Sequence, residues 1–148
     1  MTLSLDNKKL LPPRILIYGT EGIGKTSFGA LADKPIFLPT EKGLSGHPEV
    51  QSFPIARKFS EVMGYITELA TKDHDRKTLV VDSLDWLEPL IWDQVCAENN
   101  EKSIEKVAGG YGKGYGLALD LWRQYLEALD YLNEEKDMTI IQIAHAQI

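Results

Sequence analysis

Ile15-Leu16-Ile17-Tyr18-Gly19-Thr20-Glu21-Gly22-Ile23-Gly24-Lys25-Thr26-Ser27 decides how the whole chain is read. An apolar run that reads as a buried strand passes at once into G-x-x-x-x-G-K-T, the pattern of a loop that holds the phosphates of a nucleoside triphosphate. Each residue type has a physical task there. Glycines let the backbone take shapes that a Cβ forbids, so main-chain N–H groups can turn inward on an anion. The candidates for that cradle are Gly19, Thr20, Glu21, Gly22, Ile23, Gly24, Lys25, Thr26 and Ser27. Lys25 brings a mobile point charge to the β- and γ-phosphate oxygens, and Thr26 brings a hydroxyl to Mg²⁺. A helix expected over Thr26 to Leu31 aims its positive end at the same anion.

Outward from this loop, strands and helices alternate. Residues 1–13 read as a lead-in arm ending at Pro12-Pro13, and residues 14–148 as one nucleotide-binding core. Arg14 to Tyr18 is the first strand and Ile36-Phe37-Leu38 the second, after a break at Asp33-Lys34-Pro35. Phe53-Pro54-Ile55 is expected as a short edge strand, because Pro54 would be poorly tolerated in a central one. Ser60 is expected to cap a helix whose apolar face carries Val62, Met63, Ile66, Leu69 and Ala70. Thr78 to Asp82 is a further strand. A helix follows from Ser83 to about Asn99 with Leu84, Leu87, Ile91 and Val95 inward. Residues 100–116 read as irregular. A long helix over Leu117 to Glu135 is expected to turn Leu119, Trp122, Leu126, Leu129 and Leu132 inward, before a last strand from Met138 to Ala144. The alternation predicts an α/β fold: a mostly parallel sheet with helices on both faces. The end of the chain on a core strand suggests a fragment of a longer protein, or a family cut down to its nucleotide half.

Composition narrows the class. With 148 residues, 43% hydrophobic and 26% charged, the chain has the make-up of one globular domain. A net charge of −6 argues against nucleic-acid binding by overall attraction but leaves room for a local basic patch. The single cysteine, Cys96, excludes an internal disulfide and has no metal-ligand neighbours in sequence. No segment is apolar enough to span a membrane, and no apolar run follows the first charges as in a signal peptide. These features predict a reducing, cytoplasmic setting.

In open parallel sheets, ligands gather at the carboxyl ends of the strands. Asp82, after four apolar-strand residues, fits the carboxylate that anchors Mg²⁺ together with Thr26. Many ATPases place the catalytic glutamate directly after that aspartate, but here the position is Ser83. Glu41, in the loop after the second strand, is the better candidate for the group that activates water. Asp85 and Glu88 are expected as exposed helix residues. His145 or Gln147, after the last strand, is a candidate sensor that hydrogen-bonds the γ-phosphate or the attacking water. His47 and His74 carry no assignment.

Lys106-Val107-Ala108-Gly109-Gly110-Tyr111-Gly112-Lys113-Gly114-Tyr115-Gly116 interleaves glycines, tyrosines and lysines. That composition suits a flexible contact to single-stranded nucleic acid, with aromatic faces for bases and ammonium groups for phosphates. Lys106, Tyr111, Lys113 and Tyr115 are the candidate contacts. A plain linker with tyrosines packed on the core is the alternative.

The order and spacing of these pieces resemble the RecA-like P-loop ATPases, and most closely the short bacteriophage and prophage members of AAA or single-strand-annealing type. The likeness covers residues 14–148. Its carriers are the loop Gly19–Thr26, Glu41 after Ile36-Phe37-Leu38, the run Val80-Val81-Asp82-Ser83, and His145 or Gln147 at the end of the last strand. The resemblance implies Mg²⁺-dependent ATP hydrolysis, with Lys25 and Glu41 catalytic. It also implies coupling to single-stranded DNA in annealing or recombination, in homo-oligomers within a bacterial host cytoplasm. It makes the Gly/Tyr/Lys stretch a DNA-contacting loop. Against that resemblance, residues 14–148 are expected to stop short of the second DNA loop and the terminal strands of such a core. None of Arg57, Arg76 and Arg123 has the setting of a cation acting on a neighbouring subunit. Two other classes remain: a nucleotide-gated protein-interaction or packaging component, and a small-molecule or nucleotide kinase. Strand order separates the kinase, in which the phosphate-loop strand and the Asp82 strand are usually neighbours.

Overall fold

A computed structural model describes residues 2–44 and 46–146. The first strand, β1 (Arg14–Gly19), runs into the glycine loop and then into a short helix, α1 (Lys25–Ala30). Strand β2 (Pro35–Pro39) and a two-residue strand, β3 (Gln51–Ser52), follow, then helix α2 (Phe59–Thr71). Strand β4 (Thr78–Asp82) leads into α3 (Leu84–Glu98). A 3-10 helix over Ile104–Gly109 precedes α4 (Lys113–Glu135), and β5 (Thr139–His145) closes the series.

The five strands form one all-parallel sheet in the order β1-β5-β4-β2-β3. Each central strand is apolar on both faces because each face is covered. Leu79 and Val81 of β4 and Leu38 of β2 join the larger core beneath α2, α3 and α4. Val80, Phe37, Ile141 and Ile143 join the smaller one on the α1 side. The helix α1 lies close on the sheet: a Cβ on Gly29 would stand 2.7 Å from Val80 Cγ1, so only glycine fits there. Strand β5 sits between β1 and β4, with Gly19 beside His145 and Asp82 beside Ile143. This register brings the ends of β1, β4 and β5 to one rim.

The arm ends as a packed segment. The Pro12 carbonyl accepts from Asn133 Nδ2, and the Pro13 carbonyl from Ile140 N.

Four local expectations are corrected. The edge strand is Gln51–Ser52, two residues ahead of Phe53-Pro54-Ile55, because Phe53 N donates its last ladder bond to Phe37 O and Pro54 has no N–H to continue it. Helix α2 starts at Phe59, not after a Ser60 cap, and Glu61 Oε1 reaches back to accept from Arg57 N. Residues 100–116 are largely helical: α4 begins at Lys113, four residues early. The buried stripe of α4 is Ala118, Leu121, Tyr125, Leu129 and Leu132, whereas Leu119 and Leu126 stay exposed. The phase differs because Tyr125, which was not among the residues expected to face inward, is fully buried. Its hydroxyl donates to Gln142 Oε1 at 2.7 Å, and burial pushes its pKa up.

Candidate functional site

The rim where β1, β4 and β5 end holds a cleft of about 380 Å³. Glu21, Gly22, Gly24, Lys25, Thr26 and Ser27 line it from the glycine loop. Glu41, Lys42 and Gly43 line it from the loop after β2, and His145 from the end of β5. Gly24 has φ +98°, a left-handed turn that an L side chain rarely adopts, and it is the turn that swings the chain into α1.

Lys25 is 5% exposed, and its ammonium folds back across the loop. Nζ donates to the carbonyls of Gly19 at 2.7 Å and Thr20 at 2.6 Å. A buried cation held by two carbonyl oxygens is poorly compensated, and anionic phosphate oxygens would be stronger acceptors. Thr26 Oγ1 donates to Asp82 Oδ2 at 2.9 Å. A hydroxyl and a carboxylate side by side, both oxygen donors, fit a hard dication such as Mg²⁺ bound together with phosphates. In that state Thr26 and Asp82 would hold the ion, and its role would be to neutralise phosphate charge.

Burial holds the Asp82 carboxyl above its ordinary pKa. The Thr26 hydrogen bond opposes that rise, the Glu41 carboxylate adds to it, and His145 and Lys25 pull it down. Asp82 is thus a desolvated carboxylate beside another carboxylate, a setting that a cation relieves.

Glu41 has both oxygens engaged. Ser83 Oγ donates to Oε2 at 2.7 Å, and His145 Nε2 lies 3.2 Å from Oε1. Ser83 is itself fixed by Thr40, whose Oγ1 accepts from Ser83 N at 2.9 Å and donates to Ser83 O at 2.7 Å. The Asp82–Ser83 peptide is cis. His145 is held through its backbone: its N–H donates to Asp85 Oδ1 at 2.7 Å. One ligand atom from each of Glu41, Asp82 and His145 lies within 4.8 Å of the other two.

The structure therefore brings Lys25, Thr26, Asp82, Glu41 and His145 to one place. Gln147 lies outside the described residues. The Gly/Tyr/Lys group is less uniform than its composition implied. Tyr111, at φ +58°, is 99% exposed, and Lys106 and Lys113 are exposed. Lys113 and Tyr115 stand on the first turn of α4, not in a free loop. The Tyr115 ring meets Trp92 edge-on at 5.6 Å, so it is tied to α3.

Several site residues escaped the sequence reading. Asp85, expected on an exposed face, is half-buried against His145. Thr40 and Ser83 are the brace behind Glu41. A polar residue directly before Glu41 and another directly after Asp82 were the available signals, since β2 and β4 pair in register there. Lys42 adds a second cation to the cleft lining. His47 Nε2 lies 3.4 Å from Ser27 Oγ, although nothing in its sequence context marked it.

An all-parallel sheet with helices on both faces, a glycine loop between β1 and α1, and a Thr–Asp pair at the rim define a P-loop NTPase fold. In it β5 separates the phosphate-loop strand from the Asp82 strand, as in RecA-like and AAA proteins. A family model described as "AAA domain" matches residues 11–148, and the chain belongs to that family. It is also 32% identical over 138 residues to the SPbeta prophage-derived uncharacterized protein YorG of Bacillus subtilis (strain 168). That match takes in 89% of this chain and 40% of the relative, so the chain spans about two-fifths of the relative's length. Fold and family together give the domain a nucleotide-binding character. Among the described residues, no helix is long and apolar enough to cross a membrane.

Proposed function

We propose that this domain binds ATP with Mg²⁺ and hydrolyses it, and that turnover is coupled to single-stranded DNA. The observation that carries the reading is the meeting of four separate chain segments: Lys25, Thr26, Glu41 and His145 converge on one cleft, with Asp82 hydrogen-bonded to Thr26. Lys25 leaves its carbonyl partners for the β- and γ-phosphates. Thr26 and Asp82 hold the ion that comes with them. Glu41, aimed by Ser83, accepts the proton of the attacking water or orients it for in-line attack. His145, hydrogen-bonded to Glu41, is placed to respond when the γ-phosphate leaves. ATP is favoured over GTP because the chain has no Asn-Lys-x-Asp guanine-reading motif.

The DNA part rests on Tyr111, Lys106 and Lys113, an exposed aromatic residue and two exposed lysines within eight residues of chain. Among the described residues no arginine lines the cleft, whose cations are Lys25 and Lys42. A further cation from a neighbouring copy would complete it, which is why we read the active form as a homo-oligomer. The test is ATP turnover with and without single-stranded DNA. Stimulation by DNA supports the coupling. Turnover indifferent to DNA, with protein partners changing it instead, moves the domain to a nucleotide-gated interaction role. The position of β5 between β1 and β4 weighs against a kinase.

A further inference from the structure

Glu41, Asp82 and His145 form a donor set that an oxygen-seeking Mg²⁺ does not need. A hard dication is served by Thr26, Asp82, phosphate and water. The addition of an imidazole beside two carboxylates shifts preference toward borderline transition metals. The three donors are also pre-set. Ser83 occupies Glu41 Oε2 and leaves Oε1 turned to His145, and Asp85 holds the His145 backbone in place. His145 Nδ1 is buried and has no hydrogen-bond partner among the described residues. The ring is thus positioned through Nε2, on the side of Glu41.

We propose that Glu41, Asp82 and His145 bind one divalent transition metal, of the Zn²⁺ or Co²⁺ kind, in the nucleotide-free protein. The ion accepts an electron pair from His145 Nε2, whose hydrogen moves to Nδ1 or to solvent, and from one oxygen of each carboxylate. Because no acceptor among the described residues stands behind Nδ1, the site lacks the outer brace of most metal-bound histidines. Its affinity is therefore about 10–100-fold below that of a braced site, and its ion exchanges. An ion there holds Glu41 away from water and so restrains turnover. That regulatory consequence rests on the proposed role of Glu41, whereas the binding itself does not.

The test is titration of tag-free, nucleotide-free protein with Co²⁺, read by its visible d–d absorption. The expected result is saturation at one ion per chain, displacement by Zn²⁺ but not by equal Mg²⁺, and an unchanged titration in Cys96→Ser. Both His145→Gln and Glu41→Gln should weaken binding by about 10-fold or more, with far-UV circular dichroism confirming that each is folded. No absorption, or absorption untouched by both substitutions, overturns the site. Mg²⁺-ATP binding is measured on the same samples. Loss of the Co²⁺ site with ATP still bound sinks this proposal alone. Co²⁺ binding without any ATP affinity sinks the nucleotide reading alone.

Discussion

Thr26 Oγ1 and Asp82 Oδ2 are 2.9 Å apart, a hydrogen bond that joins the first turn of α1 to the end of β4 across 56 residues of chain. It places the two oxygen donors of the cleft side by side while keeping Asp82 in a poorly solvated position. Burial holds the Asp82 pKa above its ordinary value, with the Glu41 carboxylate adding to the rise. The native state therefore binds more protons than the unfolded chain between the ordinary carboxylate pKa and the raised one. Stability falls as pH rises through that window, and the penalty persists at neutral pH. Asp82→Asn removes the charge and keeps an acceptor for Thr26. The variant should unfold at a higher temperature than the parent at neutral pH, with the gap closing as pH falls toward about 4. It should also lose the Mg²⁺ dependence of nucleotide binding. Thermal unfolding across pH checks the first effect, and a less stable variant at neutral pH would refute it.

Glu41→Gln should leave Mg²⁺-ATP binding near the parent value and lower kcat by about 10²–10⁴-fold, the usual worth of a positioned general base. Ser83→Ala should lower kcat less, with KM little changed, since it removes only the hydrogen bond that aims Glu41 Oε2. Steady-state kinetics of the two variants check both points. Parent-like turnover in Glu41→Gln would assign the base elsewhere.

The sheet and the phosphate loop were legible because their signals are local. A strand that is apolar on both faces reads as a continuous run, as Thr78 to Asp82 does, and the loop carries its chemistry in consecutive residues. Thr40, Ser83 and Asp85 were not legible as a brace. Their roles depend on the register that sets β2 beside β4 and on the approach of α3 to the end of β5. The phase of α4 was misread for a related reason. A tyrosine faces the core there because Gln142 of β5 offers its hydroxyl a partner, and no pattern within α4 announces that. The early start of α4 was hidden by glycines at 112, 114 and 116, which read as loop. Gly114 is nevertheless buried against the 3-10 helix, where a Cβ would meet the Ile104 carbonyl.

Thr40→Val replaces a buried hydroxyl that makes two hydrogen bonds to the Ser83 backbone. It strands the buried Ser83 N–H, while the Ser83 carbonyl keeps the Leu87 N–H as its donor, at a cost of about 1–3 kcal/mol. A chain of this size should show a drop in Tm of several degrees. Calorimetry checks the value, and an unchanged Tm would mean that the Ser83 backbone finds other partners.

Tyr111→Ala combined with Lys113→Ala should weaken single-stranded DNA binding by about 10-fold or more, given about 1–3 kcal/mol for one stacked base. Stability should barely change, because Tyr111 is almost fully exposed. Fluorescence anisotropy with a labelled oligonucleotide, at two salt concentrations, provides the readout. Equal affinity in parent and variant would remove this segment from any DNA contact.

The most direct measurement is Mg²⁺-ATP binding by the parent and by Lys25→Ala, using isothermal titration calorimetry. The Lys25 ammonium is buried against two carbonyls and waits for stronger acceptors. The account predicts saturable one-to-one binding by the parent and a loss of about 10–100-fold or more in the variant, the worth of a charge-assisted contact to phosphate. Equal affinity in the two proteins, or no Mg²⁺-ATP binding by the parent, would contradict it.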